Sequence, residues 1–227
     1  MAKRYEDKYM CTEGGLLIAM SRASALLDRD RAGENGRYMV RSLYFDGPDS
    51  PCAEENEAGT DKRSKYRIRL YNGDTSFIRA EIKRKENGVG EKVSAALDIE
   101  TVRALMKGSV EPSKLDNPVL REFALKIRGE SFRPVIVCEY MREAYVGEPG
   151  RMRITADRDL RGSRDVERFL SADLGPAYPV YPLGWGLLEV KYTELLPSWV
   201  LRSVVSGSFV RTSFSKYRMC RLDLTAI

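Results

Sequence analysis

The sequence predicts an α+β fold: an eight-stranded antiparallel β-barrel forming a tunnel with a charged lumen, helices packed outside, in one domain over residues 1–227. Three observations point there. Short alternating segments recur between hairpin-type turn signals. The alternation sets Arg, Lys and Glu in rows on several of those segments, and the helical segments between them carry apolar faces that need a sheet to cover. About eight strands are enough for closure, which the alternation by itself only suggests.

Taken in order, Arg4–Cys11 reads as a strand, followed by a helix near Leu16–Leu27 with Leu16, Met20, Ala23 and Leu27 on one face. Tyr38–Asp46 is aromatic and β-branched enough for a second strand. Pro48–Thr60, with its Pro, Gly, Asn and Glu, reads as a loop. Lys65–Tyr71, Ser76–Lys85 and Val89–Leu97 form a meander, with Asn72-Gly73-Asp74 and Asn87-Gly88 at its junctions. Asp98 caps a helix with Ile99, Val102, Leu105 and Met106 inward, and Asn117-Pro118 starts another with Leu120, Phe123, Ala124 and Ile127 inward. Pro134–Val146 and Arg151–Leu160 make a hairpin about Glu148-Pro149-Gly150; Gly186–Tyr192 is a further strand and Pro197–Val205 a short helix.

Composition narrows the chemistry. At 227 residues, 43% hydrophobic and 31% charged, the chain can build a core without staples. A net charge of +5 favours anionic partners: phosphorylated small molecules, polyphosphate, nucleic acid or acidic membrane surfaces. Histidine is absent, which excludes the commonest general base and zinc ligand and every Ser-His or Cys-His nucleophile. Cys11, Cys52, Cys138 and Cys220 form no C-x-x-C pair and read as reduced, buried thiols of a cytoplasmic protein. No run approaches a membrane span, so a membrane enters only through a partner. No basic helix or stacking motif appears, so nucleic acid is not expected as a ligand.

In a half-buried strand, charged side chains ordinarily face water. Here Arg67 and Arg69, then Glu81, Lys83 and Lys85, then Arg151, Arg153, Thr155 and Asp157, then Glu189 and Lys191 alternate with apolar residues. Glu6 shares a face with Lys8, and Tyr140 with Arg142. On one strand a solvated face is the simpler reading. Repetition over two hairpins, the first strand and a late strand favours rows that point into a lumen, with helices outside. Such a lumen must hold water, ions and a charged ligand, because unpaired buried charge is costly. Arg67, Arg69, Arg142, Arg153, Lys8, Lys83, Lys191 and Lys216 suit a run of phosphates. Glu189 is the first choice for holding Mg2+ or Mn2+, with Glu6, Glu81 and Asp157 behind it.

The ordered segments RYEDKY (4–9), VRSLYFD (40–46), KYRIRLY (65–71), AEIKRK (80–85), EYMREAY (139–145), RMRITAD (151–157), LLEVKY (187–192) and SFSKYR (213–218) resemble the VTC domain. This is a polyphosphate polymerase domain of the triphosphate tunnel metalloenzyme, or CYTH-like, superfamily. The resemblance implies an eight-stranded tunnel that binds ATP, inorganic phosphate or pyrophosphate, and growing polyphosphate. It implies phosphate contacts from Lys8, Arg67, Arg69, Lys83, Lys92, Arg142, Arg153, Lys191 and Lys216, assisted by Tyr140 and Ser215. Arg67, Arg69, Lys83, Arg153 and Lys191 would carry the catalysis, and Glu189 with Glu6 the metal. The superfamily's hydrolases usually begin E-x-E-x-K, whereas this chain has Arg4, Glu6 and Lys8, which resembles the polymerase branch.

The expected function is therefore metal-dependent phosphoryl transfer, with polyphosphate synthesis from ATP first. A tripolyphosphatase or nucleoside triphosphatase of the same fold, and a non-catalytic polyphosphate-binding module, are the alternatives.

Overall fold

A computed structural model describes residues 5–57, 60, 62–87, 89–148, 151–193, 198–205 and 208–222. Its strands are β1 (Tyr5–Thr12), β2 (Asp28–Arg29), β3 (Arg37–Asp46), β4 (Arg63–Tyr71), β5 (Asp74–Glu86), β6 (Val89–Leu97), β7 (Arg133–Gly147), β8 (Met152–Ser163), β9 (Tyr178–Pro179), β10 (Trp185–Tyr192) and β11 (Val210–Arg211). The helices are α1 (Glu13–Leu26), α2 (Pro51–Glu57), α3 (Ile99–Lys107), α4 (Pro118–Gly129), α5 (Ser198–Val204) and α6 (Lys216–Leu222). Three strands have only two residues, which leaves the eight long strands the sequence predicts. Arg4, Gly88, Pro149, Gly150 and Pro197 lie outside the described residues.

The backbone groups into two compact units: Met1–Met39, Glu139–Arg161 and Pro179–Ser215 make the first, and Val40–Cys138, Gly162–Tyr178 and Lys216–Ile227 the second.

In the first unit the strand order is β11-β1-β10-β8-β7. Helix α1 starts where the Thr12 hydroxyl accepts the Gly15 amide at 3.2 Å, an N-cap. Its Leu16, Ala19, Met20 and Ala23 pack with Val200 and Val204 of α5 on Cys11, Ile154, Ala156, Leu188 and Val190 of the sheet. The close approach depends on Gly186, where a Cβ would sit 2.5 Å from Leu16 Cδ1 and 2.8 Å from the Asp157 carbonyl oxygen.

In the second unit β3-β4-β5-β6 form the predicted meander. Asn72 (φ 52°) and Gly73 (φ 71°) make the two-residue turn between β4 and β5, the left-handed pair that matches strand twist. Asp98 caps α3 by accepting the Thr101 amide at 2.6 Å, and Asn117 caps α4 by accepting the Val119 amide at 2.9 Å. Phe123 of α4 meets Phe45 and Tyr66 edge-on at 4.9 and 5.5 Å. Burying a side chain of that size stabilises by about 1.5–3 kcal/mol.

Two expectations are corrected. The Pro48–Thr60 loop contains α2, because Asp46, five residues ahead of its first residue, accepts the Cys52 amide at 3.0 Å and the Ala53 amide at 3.3 Å. That cap comes from a strand end, so no local pattern announces it. The barrel is also not closed by hydrogen bonds among the described residues. The outer edge of β1 is taken by β11, pairing Tyr9 with Arg211 and Met10 with Val210, and the strand order is open with β11 and β6 at its ends.

Candidate functional site

The sheet face opposite α1 and α5 in the first unit is charged and yet buried. Antiparallel pairing puts Glu6, Lys191 and Arg153 in one row and Lys8, Glu189 and Thr155 in the next. Glu189 is 4% exposed, Arg142 8%, and Thr155 and Asp157 are fully enclosed. Arg142 donates from Nε and a terminal nitrogen to both Asp157 oxygens, at 2.6 and 2.7 Å, a bidentate clamp that leaves its guanidinium 5.2 Å from the Tyr140 ring. Glu189 Oε2 accepts from Lys191 Nζ at 2.6 Å and from Arg142 at 3.4 Å. Lys8 pairs with Glu6 at 3.2 Å and donates to the Phe214 carbonyl at 2.8 Å. Arg153 donates to Asp30 and, at 2.6 Å, to the Tyr38 hydroxyl.

Here Lys8, Arg142, Arg153 and Lys191 meet Glu6, Asp30, Asp157 and Glu189, so charge is near balance. Burial lowers the Lys191 ammonium to about 8, helped by Arg142 and opposed by Glu189 and Glu6. A cation this close to neutrality gains from any added negative charge.

The second unit also carries a charged strand face, buried at Arg69 and Glu81 and exposed at Lys83 and Lys92. Ser42, Arg69 and Arg79 form one row, Tyr44, Arg67, Glu81 and Ser94 the next, and Lys65, Lys83 and Lys92 a third. Among the described residues these three rows of β4–β6 hold six cations and one carboxylate, and the next row adds Arg63 and Lys85. Glu81 is 2% exposed; it accepts from Arg67 at 2.7 and 2.6 Å and from Lys92 at 2.9 Å, with Arg69 at 3.8 Å. Burial opposes its ionisation, but Arg67, Arg69 and Lys92 outweigh that and hold its carboxyl well below the usual range. Glu81 is therefore the counter-ion of Arg67, Arg69 and Lys92. Asp157, clamped by Arg142, has the same role in the first unit.

Lys216 opens α6. The next residue, Tyr217, donates its hydroxyl to Asp46 and stacks on Tyr44 at 4.8 Å, and the Tyr44 hydroxyl accepts from Arg67 at 3.2 Å. Cys138 Sγ lies 3.9 Å from the Lys216 carbonyl. Ser215, buried at 9%, ends the first unit.

The structure thus gathers Lys8, Tyr140, Arg142, Arg153, Glu189, Lys191 and Glu6 on one face, and Arg67, Arg69, Lys83 and Lys92 on another. Sequence reasoning missed Asp30, Tyr38, Asp46, Lys65 and Arg79. Lys65 and Arg79 were legible, since each shares its strand's charged phase. Asp30, just after β2, and Asp46, at a strand end, gave no periodic signal. The open cavity of about 500 Å3 lined by Arg29, Glu34, Asn35, Arg37 and Glu143 contains none of the expected residues.

No group of three carboxylate or thiol side chains gathers among the described residues. The donor set therefore fits a divalent cation only when it shares its coordination with substrate oxygens, Glu189 supplying one carboxylate.

The VTC domain family model matches residues 3–224. Among curated proteins none matches the chain. Two solved structures share the fold. A candidate adenylyl cyclase from Hippeastrum, described as having a dominant triphosphatase activity, aligns with TM-score 0.56 at 14% identity, covering 98% of this chain and 96% of that one. A candidate adenylate cyclase from Bacillus halodurans aligns with TM-score 0.53 at 14% identity, covering 85% and 82%.

Proposed function

This chain belongs to the VTC domain family, and from that membership and its rows of cations on strand faces we propose that it transfers phosphoryl groups onto a phosphate chain, making polyphosphate from ATP. The observation that carries the reading is the β4–β6 face, where Lys65, Arg67, Arg69, Arg79, Lys83 and Lys92 stand in three adjacent rows around the buried Glu81. Cations clustered in this way favour a polyanion such as a phosphate chain.

In this reading Arg67, Arg69, Lys83 and Lys92 of the second unit bind phosphate oxygens, and so does Lys216, the first residue of α6 in the same unit. In the first unit Lys8, Arg142, Arg153 and Lys191 do the same, assisted by Tyr140 and Ser215. Guanidinium groups fork onto two oxygens of one phosphate, while lysines follow the chain as point charges. Arg67, Arg69, Lys83, Arg153 and Lys191 stabilise the charge that spreads over the transferring phosphoryl group. The acceptor, phosphate, pyrophosphate or a polyphosphate end, is already ionised, so a chain without histidine needs no general base. Glu189, with Glu6 in the neighbouring row beside Lys191, would hold Mg2+ or Mn2+, whose charge would offset that of the phosphates.

The test is incubation of the pure protein with ATP and Mn2+ or Mg2+, with products separated by chain length. Finding neither polyphosphate nor released phosphate would overturn the proposal. Hydrolysis is the second reading, because a protein of this fold is described as chiefly a triphosphatase. It predicts orthophosphate without chain growth. Arg4→Glu, which restores the acidic pattern at the start of the chain, would then raise hydrolysis.

A further inference from the structure

Two buried donors on the same face of β8 find no acceptor among the described residues. Thr155 Oγ1 and Arg153 Nε have no hydrogen-bond partner among the described residues. An enclosed hydroxyl or guanidinium nitrogen left in that state costs free energy, and native proteins seldom keep two side by side without use. They are two residues apart, so both point to one side of the strand, about 6.6 Å apart along it. Thr155 stands in register with Glu189 and, one strand further, Lys8; Arg153 stands in register with Lys191 and Glu6.

Resting on the phosphate-transfer reading, we propose that the Thr155 hydroxyl is a substrate contact: it donates to the innermost phosphate oxygen of a bound linear triphosphate, while Arg153 Nε donates to a neighbouring oxygen. Exposure falls along this face in the order the ligand needs. The Arg153 side chain is 30% exposed, Lys8 21% and Lys191 19%, whereas Thr155 is fully enclosed. The cations receive the anion at the rim and the hydroxyl marks its depth. Thr155 also suits the place chemically. A third cation beside Lys191 would push that ammonium further towards neutrality, and a carboxylate would repel phosphate, whereas a hydroxyl donates without altering the charge.

Inorganic tripolyphosphate and ATP offer the same phosphate chemistry, and both serve as probes, without divalent metal, in calorimetric titration and thermal melts of the whole chain. Thr155→Val keeps the shape and removes the hydroxyl; Thr155→Ser keeps the hydroxyl. The expected result is a Thr155→Val protein that melts at or above the wild-type temperature without ligand, because an unmet buried hydroxyl is gone. It should bind tripolyphosphate about tenfold or more weakly, the loss typical of a hydrogen bond to a charged group, and Thr155→Ser should restore the affinity. A similar loss for ATP places the contact on the shared phosphates; a loss for ATP alone would overturn that placement. A Thr155→Val protein that binds both as the wild type does, or that unfolds or melts markedly lower, overturns the assignment, the latter because the hydroxyl would be structural. If the wild type binds neither probe, the phosphate reading itself fails and takes this one with it.

Discussion

Replacing Glu81 by Gln should move stability and anion response in opposite directions. Glu81 is 2% exposed and neutralises Arg67, Arg69 and Lys92 together. Removing one partner of a buried ion pair costs about 3–5 kcal/mol, since the remaining charge is left enclosed. Lys92 is 51% exposed here and solvent will screen it, so the cost rests on Arg67 and Arg69, 16% and 9% exposed, and about 3 kcal/mol is the working value. For a chain of this size that lowers Tm by roughly 6–12 °C. The same three cations then lack their internal anion, so tripolyphosphate should bind more tightly than to the wild type. A ligand at a hundred times its Kd adds about 2.7 kcal/mol and would recover most of the loss. Thermal melts of both proteins over a tripolyphosphate series give both quantities. A Glu81→Gln protein as stable as the wild type, or one whose melting responds less to tripolyphosphate, would refute Glu81 as the internal counter-ion of a phosphate site.

Other consequences are equally accessible. The Glu81 carboxyl is held well below its ordinary 4.5, so on acidification the unfolded chain takes up this proton first. Wild-type stability should fall as pH drops below about 4.5, and Glu81→Gln should lack that component of the slope in acid melts. Lys191 has the opposite sense. Its value of about 8 lies below the ordinary 10.5, so between the two the unfolded chain holds the extra proton and stability rises with pH. Tripolyphosphate affinity should decline above about pH 8 as the ammonium is lost, and Lys191→Met should flatten both trends in melts and titrations. Tyr217→Phe removes the hydroxyl bond to Asp46 and should cost about 1–3 kcal/mol in denaturant unfolding; an unchanged midpoint would show that this bond does not anchor α6. Gly73→Ala adds a Cβ that meets nothing within 4 Å, so its cost, about 1 kcal/mol, should come from φ alone, whereas Gly186→Ala, which meets Leu16 and a backbone oxygen, should cost more.

Rows of cations on strand faces were legible because alternation is a local property: once Lys65–Tyr71 is a strand, Arg67 and Arg69 share a side whatever the rest of the fold does. The caps at Asp98 and Asn117 and the turn at Asn72-Gly73 were legible for the same reason, each bond closing within a few residues. The ordered charged segments were enough to suggest the family. Tertiary structure decided what those charges do to one another. Asp30 meets Arg153 across 123 residues, and Tyr217 meets Asp46 across 171. No sequence period encodes which carboxylate is spent on which guanidinium, so Asp157 and Glu81 emerged as counter-ions only from their contacts. The open strand order was likewise settled by β11 taking the edge of β1, a pairing of two residues too short to leave a pattern. Thr155 reads in the sequence as one more polar residue in an alternating strand; only its full enclosure in register with Glu189, with no acceptor for its proton among the described residues, makes it a candidate for substrate contact.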